Sequence, residues 1–228
     1  MRDSFLRCIQ ESYKCYLEYG SRSTRKLKPA HRWLADVLRQ RLPDDYDILG
    51  MRDDDPNARE EEASGLYYDK KIDVAVKRKN TVVSGIGFKF VTSNYKQNSV
   101  NYFENVLGET ANLQRAGIGY GSLMVLPSVV RYLTKSGEFK KEEIISSHNL
   151  KKYLHLYHDR SFPHKPEAVG LIFVDIDYDN KNVLRLTNID DLKFSDEITN
   201  FLKTDVGLEH FLKVFTKMSE YKGVQLCR

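Results

Sequence analysis

Residues 72–91 read IDVAVKRKNTVVSGIGFKFV, and the fold class turns on how this stretch divides. Ile72, Val74 and Val76 alternate with Asp73 and Ala75, the period of a strand with one apolar face. Residues 77–80 are charged or polar and end in Asn80, a turn signal. A second strand-like run, Thr81–Val91, follows at once. The two strands are expected to form a hairpin. Lys89 then lies between Phe88 and Phe90 in a run that should be buried. Gly87, two residues earlier on the same face as Lys89, has no side chain at all.

Outward from the hairpin the periodicity changes. Towards the N-terminus, Phe5, Cys8, Ile9, Tyr13, Tyr16 and Leu17 recur at helical spacing over Ser4–Tyr19, and Gly20 ends the helix. A second helix is predicted over Pro29–Leu42. Pro29 suits a first turn, Trp33, Leu34, Val37, Leu38 and Leu42 form its stripe, and Pro43 stops it. Tyr46–Leu49 reads as a short strand and Arg52–Ser64 as a polar loop. The first arm of the hairpin is extended back to Leu66, as one strand over Leu66–Val76.

Towards the C-terminus, Ser99–Ala116 is helical, with Val100, Phe103, Val106, Leu107 and Ala111 as its stripe and Gly117 as its stop. GIGYG at Gly117–Gly121 is read as a turn, because it follows a helix and so lacks the context of a dinucleotide fingerprint. Ser122–Val130 is a strand interrupted near Pro127, and Glu142–His158 is helical. Ala168–Ile176 (AVGLIFVDI) is a near-continuous apolar run, as in a strand covered on both faces. Val183–Leu186 can return beside it, and Asp191–Lys222 supplies closing helices. This order predicts an α/β fold, a central mixed sheet flanked by helices. It forms one domain over residues 1–228, with a core at about 29–180 and a helical extension over 190–222.

The composition narrows the function classes. The chain has 228 residues, 41% hydrophobic and 30% charged, which is enough for a sizeable core. No apolar run approaches the roughly 20 residues of a membrane span, and the N-terminus lacks the apolar core of a signal peptide. Cys8, Cys15 and Cys227 show no paired metal spacing, and an odd count argues against a disulfide framework. A cytoplasmic protein is expected. The net charge of +4 permits nucleic-acid binding without requiring it. The charge is uneven: Arg22–Arg41 is dense in Arg and Lys with Asp36 its single acid, and Asp44–Glu62 is strongly acidic. Both runs also fit solvated faces of a globule.

Asp73 and Lys89 sit in adjacent strands, each opposite bulky apolar neighbours. An ordinary cross-strand ion pair would look the same. Yet the order of elements, with an Asp closing one strand and a Lys on the next, resembles the PD-(D/E)XK nuclease superfamily, which includes most type II restriction endonucleases. The resemblance spans roughly residues 29–175. In that family an acid two positions before the lysine helps to bind a divalent metal; here the slot is Gly87. Some restriction enzymes of the superfamily carry this acid a dozen or more residues downstream, on the following helix. The helix here offers Glu104 and Glu109, with Glu104 the first choice, and the empty face at Gly87 would admit such a carboxylate. A lost site is the alternative reading of the glycine, and either Glu could equally be an exposed helix acid.

The resemblance implies Mg²⁺ held by Asp73, the Phe88 carbonyl and Glu104 or Glu109, with Lys89 semi-buried beside the scissile phosphate to orient the attacking water. It further implies a homodimer cutting double-stranded DNA in a bacterial or archaeal cell. Two other readings stand beside it: a nuclease fold that binds DNA or a partner without cutting, and a repair or phage-defence nuclease of low sequence specificity. Residues 94–105 (NYKQNSVNYFEN) hold five amides and two tyrosines, a composition suited to base edges and phosphates and also to turns and caps. Asn94, Lys96, Gln97, Asn98 and Asn101 are therefore candidate DNA contacts, together with Arg25, Lys26 and Lys28 of the basic run. Asp175, Asp177 and Asp179 lack the glycine and closing Glu of a calcium loop and are read as a strand end. His148, His155, His158 and His164 are read as surface histidines, and no phosphate-binding GxxxxGK[ST] loop occurs.

Overall fold

The computed structural model describes residues 1–134, 138–159 and 163–226; Cys227 lies outside them. Six helices and ten strands are present among these residues. The helices are α1 (Arg2–Tyr19), α2 (Lys28–Arg39), α3 (Tyr95–Arg115), α4 (Ser147–His158), α5 (Asp196–Thr204) and α6 (Leu208–Gln225). The strands are β1 (Tyr46–Gly50), β2 (Glu61–Ser64), β3 (Asp69–Ile72), β4 (Val74–Arg78), β5 (Thr81–Phe90), β6 (Gly119–Pro127), β7 (Val129–Leu133), β8 (Phe139–Ile144), β9 (Ala168–Asp177) and β10 (Asn182–Leu186). The expected α/β architecture is what forms. A mixed six-stranded sheet runs in the order β1-β4-β5-β6-β9-β10 with helices around it. Its first three strands are antiparallel, β5, β6 and β9 are parallel, and β10 returns antiparallel to β9.

The β4–β5 hairpin forms as the sequence suggests. Lys79 and Asn80 both take positive φ, 48° and 64°, so the link is a tight two-residue turn whose twist matches the strands. α2 buries Ala30, His31, Leu34, Ala35 and Leu38 against the sheet, each leucine contributing about 1.5–3 kcal/mol. With α1 and α6 it covers one face, where Phe5, Ile9, Phe90, Val125, Phe211 and Phe215 meet. The other face is covered by α4, α5 and the β7–β8 hairpin over Met124, Leu126, Leu171 and Phe173. A smaller apolar cluster under α3 joins Ile72, Ala75, Leu113 and Tyr120.

Four expectations are corrected. Leu66–Val76 is not one strand. β3 pairs with β2 in a separate two-stranded sheet, β4 joins the main sheet, and Asp73 is the bend between them. The bend resets the alternation: Ile72 packs with Ala75 under α3, while Val74 and Val76 face α1, α2 and α6. Glu142–His158 is not wholly helical, because Phe139–Ile144 pairs with Val129–Leu133 before α4 begins. GIGYG is not only a turn, since β6 starts at Gly119 and Tyr120 is a buried strand residue. The stripe assigned to α3 is rotated from the true one, for Val100 is exposed. No helix among the described residues is long and apolar enough to cross a membrane. Cys8 and Cys15 are free thiols.

Candidate active site

The bend at Asp73 leaves its carboxylate between β5 and α2. The backbone approaches closely here: a Cβ on Gly50, which pairs with Val74, would lie 2.8 Å from the Asp73 carbonyl oxygen. One carboxylate oxygen, Oδ2, accepts from the Phe88 N–H at 2.7 Å. The other, Oδ1, lies 3.9 Å from Nε2 of His31. Burial pushes the Asp73 pKa up to about 6, partly offset by the Phe88 N–H and by Lys70. The side chain keeps 26% exposure, so it remains reachable.

A cavity of about 240 Å³ opens beside Asp73, between the end of β5 and α3. Its α3 wall is Tyr102, Asn105, Val106 and Glu109, the i, i+3, i+4, i+7 face of the helix. Glu109 therefore enters the cavity. Glu104, the first choice from the sequence, does not: it is exposed and falls about 150° from the middle of that face at 100° per residue. The empty slot at Gly87 has a different occupant from the one expected. A Cβ there would stand 1.9 Å from the hydroxyl of Tyr120, reaching across from β6. That hydroxyl donates to Glu109 Oε2 at 2.7 Å, and Lys70 Nζ donates to Glu109 Oε1 at 2.6 Å. Burial, then the Glu109 charge, raises the Tyr120 pKa and keeps it a donor. The glycine thus admits a tyrosine that holds the helix carboxylate in place.

This packing gives a quantitative expectation. Gly87→Ala must displace a tyrosine that is fully enclosed, and should cost about 2–3 kcal/mol. Tyr120→Phe in the same background should recover part of that loss by removing the colliding atom. Urea denaturation of the single and double variants measures both; a Gly87→Ala protein as stable as the parent would mean that the hydroxyl does not fill the slot.

Lys89 is exposed rather than semi-buried, with Nζ 4.6 Å from the centre of the Tyr102 ring. It makes no ion pair with a described residue. Lys26, Lys70 and Lys71 line the same cavity. Burial and the Lys89 charge lower the Lys26 pKa, so two ammonium groups from different elements share one space. The Lys26 ammonium also donates to the Ser21 carbonyl at 2.6 Å. Phe88 meets Asp73 through its N–H, and its ring lies edge-on to His31 at 5.9 Å.

The candidate DNA contacts divide. Lys26 reaches the cavity, Arg25 is exposed and lies over the Tyr19 ring, and Lys28 opens α2. Asn94, with φ 54°, precedes α3, and Asn98 donates to its carbonyl. Lys96, Gln97 and Asn101 are exposed on the first turns of α3. Asp175 is used internally, accepting from Ser128, Thr187 and Arg185, while Asp177 caps the turn at Asp179 and Asn180.

Two residues that sequence reasoning missed stand next to Asp73. His31, Glu60 and Asp73 each offer a donor atom, all within 4.8 Å of one another. His31 is fully buried on α2, and neither of its ring nitrogens has a hydrogen-bond partner among the described residues. Burial lowers its pKa to about 4, leaving the imidazole neutral. Burial, then the Asp73 charge, raises the Glu60 pKa. A larger cleft of about 570 Å³ near Leu171, Leu186 and His210 brings no such group together among the described residues. Compared with protein-family models, curated proteins and solved structures, the chain matches none of them.

Proposed function

We propose that this chain is a divalent-metal-dependent endonuclease that hydrolyses phosphodiester bonds in double-stranded DNA, in the manner of a type II restriction enzyme. One observation carries the reading. A half-buried carboxylate, Asp73, and the Lys89 ammonium, with no ion pair among the described residues, flank one cavity whose rim also holds Lys26, Lys70 and Lys71. A polyanion suits such a mouth, and the acid suits a cation. The αβββαβ order through α2, β1, β4, β5, α3 and β6 supports the resemblance to the PD-(D/E)XK superfamily.

The donor chemistry fits a divalent cation. Asp73 Oδ1 accepts no hydrogen bond among the described residues, and Glu60 faces it. These oxygens would hold the ion, Mg²⁺ on the resemblance. When bound, it would polarise the phosphate and lower the pKa of a water. The chain's own groups do the rest. Lys89 neutralises charge developing on the phosphate and orients the attacking water. Lys26 binds an adjacent phosphate, and Tyr102 offers a face on which a base or the Lys89 stem can lie. A palindromic site would be cut by two copies related by a two-fold axis.

A second reading has its own support. Both oxygens of Glu109 are engaged, by Lys70 and Tyr120, and the motif slot at Gly87 is filled. A nuclease-fold protein that binds DNA without cutting it would look like this. Incubating the purified protein with plasmid DNA and Mg²⁺ or Mn²⁺ separates the readings. Discrete fragments that vanish with EDTA are the expected result. A smear assigns a nuclease of low specificity, and intact but retarded DNA assigns the binder.

A further inference from the structure

We infer that His31, Glu60 and Asp73 form a first-row transition-metal site that binds such ions in preference to Mg²⁺. This deepens the endonuclease reading by naming its ion, and it can be tested without any cleavage. The decisive group is His31. A histidine carried wholly inside a protein with both ring nitrogens unpartnered forgoes hydrogen bonds worth about 1–3 kcal/mol per orphaned group. Helix α2 nevertheless presents it on the same face as Leu34 and Leu38, directly at a carboxylate. The Nε2 to Asp73 Oδ1 separation of 3.9 Å is too long for a hydrogen bond. It suits two donors facing a shared ion, with the half-buried Glu60 able to close by rotating its own side chain.

The donor set selects the metal. Mg²⁺ prefers oxygen ligands and sheds water reluctantly. One neutral imidazole with two carboxylates favours a borderline ion that accepts nitrogen. Two carboxylates facing one another in a poorly solvated place repel, and a dication between them removes that repulsion. The Nδ1 of His31 has no acceptor among the described residues to lock the ring, so affinity should be moderate rather than extreme.

The test uses the full chain, freed of metal, and Mn²⁺ as the probe. Mn²⁺ is the most stringent choice because it is the weakest binder of the first-row series. Loss of the free Mn²⁺ paramagnetic resonance signal counts the sites and gives the affinity. We expect one site of moderate affinity per chain, retained against about a tenfold excess of Mg²⁺. His31→Phe should weaken it roughly 100-fold while leaving the metal-free protein at least as stable, because it removes the orphaned nitrogens. Glu60→Gln, at a half-exposed position, should weaken it without threatening the fold. Equal affinity for Mg²⁺ and Mn²⁺, or unchanged Mn²⁺ binding in His31→Phe, overturns the assignment. Selective Mn²⁺ binding through His31 in a protein that never cuts DNA keeps this inference and ends the endonuclease reading. Cleavage combined with His31-independent Mn²⁺ binding does the reverse.

Discussion

Asp73→Asn is expected to abolish DNA cleavage and to make the metal-free protein more stable. Both effects come from the same carboxylate. Burial holds its pKa near 6 against an ordinary 3.8, so at neutral pH the folded chain keeps an ion where water would stabilise it better. A rise of that size corresponds to about 3 kcal/mol, which falls to the order of 1–2 kcal/mol once solvent in the cavity is allowed for. Asparagine can still accept from the Phe88 N–H and carries no charge. The sign fixes the pH dependence. A raised carboxylate pKa means that the unfolded chain releases its proton first, so Asp73 costs stability as pH rises from about 4 to about 6 and no more beyond. The stability gain of the variant should therefore be absent at pH 4 and complete by pH 7, when thermal melts are compared in EDTA. Cleavage should fall by roughly 10³-fold or more, about 4 kcal/mol of transition-state stabilisation. A variant that cut at the parent rate would remove Asp73 from the chemistry.

Lys89→Met should be nearly as damaging to the rate and nearly silent elsewhere. Lys89 is exposed and makes no ion pair with a described residue, so its loss unfolds nothing and frees no buried partner. A donor aimed at developing charge typically contributes about 10²–10³-fold in rate. Single-turnover cleavage at saturating protein should show that loss, while the affinity for the same duplex without metal changes only a few-fold. Lys89→Arg should not restore the rate. A planar guanidinium would remain over the Tyr102 ring but cannot place a compact ammonium on one phosphate oxygen. Full rate in Lys89→Met would remove Lys89 from the chemistry.

The hairpin that sets the sheet was legible because it is local: alternation, a two-residue turn and a second apolar run lie within 20 residues. Asp73 and Lys89 were legible for the same reason. The break at Asp73 was not, because a bend between two sheets leaves the alternation looking continuous. Glu109 over Glu104 could have been chosen by setting the face of α3 on Tyr102, Asn105 and Val106; the misplaced stripe through Val100 hid it. His31 carried a readable signal, since it stands three and seven positions before Leu34 and Leu38 on the buried face of α2. A histidine in such a place asks for a partner. Glu60 carried no signal of its own, lying in a long acidic run and meeting Asp73 only through the tertiary fold. Tyr120 was obscured by its glycine neighbours, which made a strand start look like a loop.

The Lys79–Asn80 turn has a consequence for how this chain can change over generations. Asp73 and Lys89 stand at the far ends of two arms whose alignment is counted outward from that turn, with one irregularity at Val76 and Lys77. An inserted or deleted residue in either arm would slide one end by about 3.3 Å and swing its side chains to the opposite surface. The exposed tip favours residues that accept positive φ, Asn, Asp and Gly above all, and the proposed chemistry at the distant end would fix the length of each arm.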